Sequence, residues 1–254
     1  MDQIKELRDK TGVSIMQCKK ALEETGGDME KALMVLKKKS GEIAAKKSDR
    51  EASEGLIVIK RNGNKALVLE LNCETDFVAK NSDFVALAEA LADKAVAEGV
   101  EKTQAAAPDL ISPVVQKLGE NIRLGRILEM SGDVIGSYIH DGKIAAVVTL
   151  TGGDEALAKD VAMQVTAMRP EYLKKEDIPA NMVAKAKELF TAEVEASGKP
   201  EEIKSKILEG KVAAYFKDLT LLDQDFFKNP ELTIAKLLTQ KGAQIVNYNR
   251  ISVK

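Results

Sequence analysis

Hydrophobic positions along this chain follow two periods, and the points where one gives way to the other divide it. Over residues 1–40 apolar side chains recur at helical spacing, interrupted at Thr11-Gly12 and Gly26-Gly27. That pattern predicts three short helices: one carrying Ile4 and Leu7, one from Ser14 to Thr25, and one from Asp28 to Lys39. Ser14 with Gln17 three residues on has the form of a capping box, and Asp28 after two glycines is a good N-cap. Cys18, Ala21, Leu22 and Thr25 share one face of the second helix. Met16 falls off that stripe and is expected to face solvent or a partner. Residues 41–54 are rich in Lys, Ser, Ala and Glu and read as a solvated linker.

Beyond it, Leu56-Ile57-Val58-Ile59 and Ala66-Leu67-Val68-Leu69-Glu70-Leu71 flank Arg61-Asn62-Gly63-Asn64, and Asn-Gly between apolar runs signals a β-hairpin. A helix follows with Phe84, Leu87, Ala88, Leu91 and Ala95 on one face. The same order returns about 80 residues later: Ile135 to His140, the turn Asp141-Gly142, Ile144 to Leu150, then a helix bearing Leu157, Val161, Val165 and Met168 that Arg169-Pro170 ends. Residues 179–229 are helical again, with Ser197-Gly198-Lys199-Pro200 between two apolar stripes, which predicts an antiparallel helical hairpin inserted in the second copy. A short helix around Leu232 to Leu238 and a closing strand from Ile245 to Val253 complete the chain. The expected fold is α+β: a three-helix domain at 1–40, a linker at 41–54, a first core subdomain at 55–133, a second at 134–178 and 230–254, and the hairpin at 179–229.

Composition narrows the function. With 44% hydrophobic and 31% charged residues, 254 residues suffice for a full core, and a formal net charge of -2 offers no global basic field for nucleic acid. Cys18 and Cys73 stand far apart in unrelated patterns, so buried reduced thiols are expected and neither a disulfide scaffold nor a zinc site. No apolar run reaches the ~18 residues of a membrane span, and Met1 to Lys10 is charged and amphipathic, unlike a secretory signal. A cytoplasmic protein is expected.

Catalytic chemistry is hard to assemble from these residues. The single histidine, His140, sits at a hairpin turn, and one histidine cannot build a multi-histidine metal site. There is no G-x-G-x-x-G opening a helix, no phosphate-cradling loop and no nucleophile elbow. Glu201-Glu202 and Asp223/Asp225 read as solvated charged faces. We therefore expect no catalytic residues, no cofactor and no metal.

What remains is the loop from Cys73 to Asn81. The second copy passes from strand to helix through Thr151-Gly152-Gly153-Asp154, whereas the first inserts Cys73-Glu74-Thr75-Asp76-Phe77-Val78-Ala79-Lys80-Asn81. In the plainer reading Thr75 caps a helical turn, Asp76 sits at its positive end with Lys80 as its ion-pair partner, and Phe77 tucks into the core. In the sharper one the acid and the aromatic form a compact probe for another protein, since Phe84, Leu87 and Leu91 already fill the helix core.

The segment Thr75-Asp76-Phe77-Val78-Ala79-Lys80-Asn81, with Leu7-Arg8, Thr11-Gly12 and Cys18-Lys19-Lys20-Ala21-Leu22 before it and Gly132-Asp133-Val134-Ile135-Gly136-Ser137-Tyr138 after it, resembles the translation elongation factor Ts family over nearly the whole chain. The resemblance implies a ubiquitin-associated-like three-helix domain, two α+β core subdomains and a coiled-coil hairpin. It also implies a guanine nucleotide exchange factor for elongation factor Tu, which itself carries the nucleotide, Mg²⁺ and hydrolysis. By resemblance Asp76 and Phe77 push into the partner's nucleotide domain and disturb its Mg²⁺ and phosphate site. Arg8, Ile15 and Met16 match N-terminal contact positions.

Two departures from the family stand out. The sequence stops at Lys254, without the C-terminal helical module of some members, so no contact through that module is expected. Gln164 stands where some relatives carry a contacting histidine; a glutamine hydrogen-bonds but does not titrate, which puts that contact in doubt. No direct nucleic-acid or membrane partner is expected, although Lys37-Lys38-Lys39 and Lys46-Lys47 leave an RNA-gripping module as the rival reading. The hairpin has partner binding or pairing of two copies as candidate roles, and its apolar residues are explained equally well by its own packing.

Overall fold

The computed structural model describes residues 2–196, 198 and 200–253. The fold is α+β, divided into two compact units. The first comprises Met1–Ser131, Ile139–Ala145 and Ile251–Lys254; the second comprises Gly132–Tyr138 and Ala146–Arg250.

The first unit opens with α1 (Asp2–Thr11), α2 (Ile15–Glu24) and α3 (Met29–Lys47). The capping box forms as the spacing predicts: the Gln17 amide donates to Ser14 Oγ at 3.3 Å, and the Ser14 amide donates to Gln17 Oε1 at 3.1 Å. Asp28 caps α3 by accepting from the Lys31 amide at 3.0 Å. Leu7, Val13, Cys18, Ala21, Leu22, Ala32 and Leu36 make a small core between the three helices.

The third helix does not stop at Lys39; it runs to Lys47, through much of the stretch that composition marked as linker. Ser40 is buried there, its hydroxyl lying between the Leu36 carbonyl at 2.9 Å and the Gln116 side-chain amide, and Ile43 and Ala44 pack on the core of the first sheet. Small side chains let this half of the helix lie close against a neighbour while burying little apolar area each, so its composition resembles that of a solvated segment.

β1 (Glu54–Asn62) and β2 (Lys65–Cys73) pair antiparallel from Glu54↔Cys73 to Asn62↔Lys65. The turn is therefore centred on Gly63-Asn64, one residue later than the Asn-Gly pair itself suggests. Gly63 takes the positive φ of 58° needed at the first central position of a two-residue turn. After β2 come α4 (Asp76–Ala79), α5 (Ser82–Glu98) and α6 (Val100–Leu118), then β3 (Arg123–Ser131), which pairs antiparallel with β2. The sheet order is β1-β2-β3. Phe84, Leu87, Leu91 and Ala95 of α5 pack with Leu67, Leu69 and Leu71 of β2, each large side chain contributing about 2 kcal/mol of burial. The sequence pattern leaves α6 and β3 unassigned. Pro108 and Pro113 lie inside α6, and β3 mixes charges and a glycine into its run.

The second unit is built on β4 (Val134–His140) and β5 (Ile144–Thr151), whose ends belong to the first unit, then α7 (Glu155–Met168). Asp141 and Gly142, at φ 51° and 70°, form the turn between these strands. Next come α8 (Ala180–Glu195), α9 (Glu201–Leu219), the short strands β6 (Asp225–Phe226) and β7 (Asn229–Thr233), α10 (Ile234–Gln240) and β8 (Gln244–Ser252). The larger sheet has the order β4-β5-β8, with α7 and α10 contributing to one apolar core. Helices α8 and α9 run antiparallel: Glu195 pairs with Lys204 and Glu193 with Lys211, while Phe190 meets Tyr215 edge-on at 5.8 Å. Their base is stitched where the Leu221 amide donates to the Tyr172 carbonyl at 2.8 Å and the Tyr172 amide to the Leu219 carbonyl at 3.0 Å. Ser197 and Lys199 of the expected Gly-Pro turn lie outside the described residues.

Candidate partner-binding site

The chain leaves β2 at Cys73, makes one helical turn in α4, and begins α5 at Ser82. Two caps punctuate this path. Thr75 Oγ1 accepts from the Val78 amide at 3.3 Å, starting α4, and Asn81 Oδ1 accepts from the Asp83 amide at 2.9 Å, starting α5. In the second unit the equivalent passage from β5 to α7 needs only one cap, with Asp154 accepting from the Leu157 amide at 2.8 Å. The extra residues of the first unit thus make a separate helical turn with its own cap.

That turn displays Phe77. Its ring is 82% exposed, so the core reading for this aromatic is set aside, whereas Ala79 is buried beneath it and Val78 packs on the first core. An exposed phenylalanine leaves about 2 kcal/mol of burial unrealised, which a partner surface can recover. Beside it the Asp76 carboxylate meets Lys80 Nζ at 2.9 Å, four residues on, as the spacing predicts. That ion pair holds the Asp76 carboxyl below the usual carboxylate range, with Lys143 adding to the effect. Lys143 donates to Glu54 Oε2 at 2.5 Å, and that bond, more than the nearby Asp76 charge, raises its own pKa.

Behind the turn, Cys73 is a buried free thiol whose Sγ donates to the Thr75 carbonyl at 3.2 Å. Burial, reinforced by the charge of Glu120, pushes its pKa up to about 12. It is a structural group, not a nucleophile. Cys18 is likewise free and buried. Among the described residues, no three His, Cys, Asp or Glu side chains gather in a way that could hold a metal ion, and no helix is long and apolar enough to cross a membrane. The loop thus displays an exposed aromatic next to a paired acid.

The N-terminal contact residues implied by the resemblance lie in the same unit. Arg8 is exposed on α1, and Ile15 and Met16, 56% and 79% exposed, open α2. The Lys117 side chain lies beside the turn before them. A methyl group on Gly12 would lie 3.4 Å from the Lys117 Cδ, and Lys117 Nζ reaches Asp83 in the first turn of α5 at 2.7 Å. The Lys117–Asp83 pair was not legible, because nothing in the sequence says that α6 ends beside the start of α5.

A family model described as Elongation factor TS matches residues 74–254, beginning within this loop. The elongation factor Ts of Psychromonas ingrahamii is 42% identical over 99% of this chain and 89% of its own length. Those of Saccharophagus degradans and Pasteurella multocida are 41% and 40% identical, each over 98% of this chain, covering 89% and 90% of their own lengths. The chain belongs to the elongation factor Ts family. It is thereby one of the elongation factors of protein biosynthesis.

Within this member of the elongation factor Ts family, the contact that the sequence left in doubt falls on a buried side chain. Gln164 of α7 is fully buried; its Nε2 donates to Gln224 Oε1 and to the Asp225 carbonyl, each at 3.1 Å, and its Oε1 accepts from the Phe227 amide at 3.0 Å. It faces inward and holds the chain after α9. Three lysines of the two clusters pair within the chain: Lys37 with Asp109 at 2.8 Å, Lys39 with Glu24 at 2.9 Å, and Lys47 with the Gly119 carbonyl at 2.5 Å.

Proposed function

We propose that this protein is a guanine nucleotide exchange factor for elongation factor Tu, and that Thr75 to Asn81 form the element that displaces GDP. Family membership supports the partner, and the exposed Phe77 beside Asp76 supports the element. In this reading Phe77 wedges into the nucleotide domain of elongation factor Tu while Asp76 brings a negative charge near its Mg²⁺ and phosphate site. Arg8, Ile15 and Met16 add contacts from the N-terminal helices. The architecture is that of a ubiquitin-associated-like three-helix domain, a duplicated α+β core and an inserted coiled-coil hairpin.

The energetics fit a factor with no chemistry of its own. A nanomolar GDP complex is held by ~12 kcal/mol, so a useful exchange factor must bind the nucleotide-free state better than the loaded one. Linkage makes this reciprocal, and GDP or GTP weakens the factor's grip in turn. The deciding experiment loads elongation factor Tu with fluorescent GDP and adds this protein. Wild type is expected to accelerate release severalfold or more, and Phe77→Ala or Asp76→Ala to lose most of that gain while remaining folded. Release unchanged by the wild-type protein would sink the proposal.

A further inference from the structure

A four-residue helix such as α4 has too few internal hydrogen bonds to order itself, and its largest side chain, Phe77, makes little contact with the core. Something else must hold it. The corner between α6 and β3 does so: the carboxylate of Glu120 accepts from the Glu74 amide at 3.1 Å and from the Thr75 amide at 3.0 Å through Oε2, and from the Thr75 hydroxyl at 2.6 Å through Oε1. The last bond has a further consequence. A hydroxyl has one proton, and giving it to Glu120 leaves its lone pairs for the Val78 amide, the bond that caps α4. Hydrogen bonds to a carboxylate are the short, strong kind.

The grip is returned. Glu74 Oε1 accepts from the Asn121 amide at 2.6 Å, and Asn121 Nδ2 donates to the Ser48 and Arg50 carbonyls at 3.3 and 2.7 Å. Lys47 at the end of α3 donates to the Gly119 carbonyl, and Gly119 turns the chain at φ 80°. The corner therefore ties the displayed turn to the helix that ends the N-terminal helical segment.

We propose that Glu120 is a positioning residue for nucleotide exchange: it sets the rotamer of Thr75 and the direction of α4, and so aims Asp76 and Phe77. This rests on the exchange reading above.

The test uses Glu120→Ala, Glu120→Gln and Thr75→Val in the full chain, with GDP release from elongation factor Tu followed over a range of factor concentration. Glu120→Ala is expected to lower the saturating rate about tenfold, the scale of loss when a positioned group is freed, with the half-saturating concentration changed less than about twofold. Glu120→Gln keeps shape and one acceptor and should fall between. A triple variant, Glu120→Ala with Asp76→Ala and Phe77→Ala, should be no slower than Asp76→Ala/Phe77→Ala, because nothing is left to aim.

Amide hydrogen exchange gives a readout without the partner: Val78 and Ala79 should exchange about tenfold faster in Glu120→Ala, with β2 and β3 unchanged. Wild-type rate and wild-type protection in Glu120→Ala and Thr75→Val overturn the proposal and leave the exchange function standing. A further loss when Glu120→Ala is added to Asp76→Ala/Phe77→Ala, or loss of protection throughout the unit, overturns it too, since Glu120 would then act only on stability. If Glu120→Ala does not fold, Glu120→Gln and Thr75→Val decide by the same criteria. Failure of the wild-type protein to release GDP overturns the exchange reading instead, and hydrogen exchange still judges the clasp.

Discussion

The Asp76 carboxylate and the Lys80 ammonium meet at 2.9 Å across one turn of α4, so the acid displayed beside Phe77 already has a counter-ion in the free protein. A partner that uses the Asp76 charge has to compete with Lys80 for it. The pair is exposed and is expected to weaken with salt.

Its titration gives the first prediction. The folded-state pKa of Asp76 is depressed, chiefly by Lys80, so any stability the pair contributes is present above the unfolded carboxylate value and is lost as pH falls through the folded one. Carboxyl carbon NMR should place the Asp76 midpoint below the usual value of about 3.9, and Lys80→Ala should move it back up. A wild-type midpoint at the usual value would mean that the pair is not populated in solution.

Gln164→Ala gives the second. The variant removes a buried amide whose donors and acceptor all have partners, leaving the Phe227 amide and Asp225 carbonyl without theirs, and it opens a cavity in α7. A loss of about 2–4 kcal/mol in urea unfolding is expected. The folded variant should keep its exchange rate within about twofold, as small changes remote from a site usually do. A stable variant with a large loss of exchange would return Gln164 to the partner interface.

Gly136→Ala gives the third. A methyl group there would lie 2.1 Å from the Ala158 carbonyl carbon and 2.2 Å from the Lys159 nitrogen, where β4 passes under α7 backbone to backbone. No rotamer relieves a clash with main chain. We expect about 3 kcal/mol or more of destabilisation, measured by denaturant unfolding. Normal stability would show that the helix and strand separate easily, contrary to this packing.

Cysteine reactivity gives the fourth. With its pKa pushed up to about 12 by burial and by Glu120, Cys73 carries almost no thiolate at pH 8. Iodoacetamide should leave it unmodified in the native protein and label it quickly after unfolding. Rapid labelling of native Cys73 would contradict both its burial and its bond to the Thr75 carbonyl.

Much of this architecture was legible because it rests on local chemistry. Ser14 with Gln17, Asp28, and Thr75 followed by Asp76 and Lys80 each involve neighbours within four residues, and the structure places each pair as spacing requires. Exposure of Met16 followed from its angle around α2. Helix α6 was hidden by its two prolines, and the end of α3 by small residues that are informative only when a second helix lies against them.

By itself the sequence determined the α+β class, the capped turn after β2 and the choice of Asp76 and Phe77 as the residues to watch. All of these depend on periodicity, caps and i to i+4 neighbours, whose geometry the backbone alone dictates. Tertiary structure decided that Phe77 points outward, that Gln164 points inward, and that Glu120, 45 residues from Thr75, holds the loop. Those outcomes depend on which distant groups are brought within hydrogen-bonding distance, and no local pattern records that.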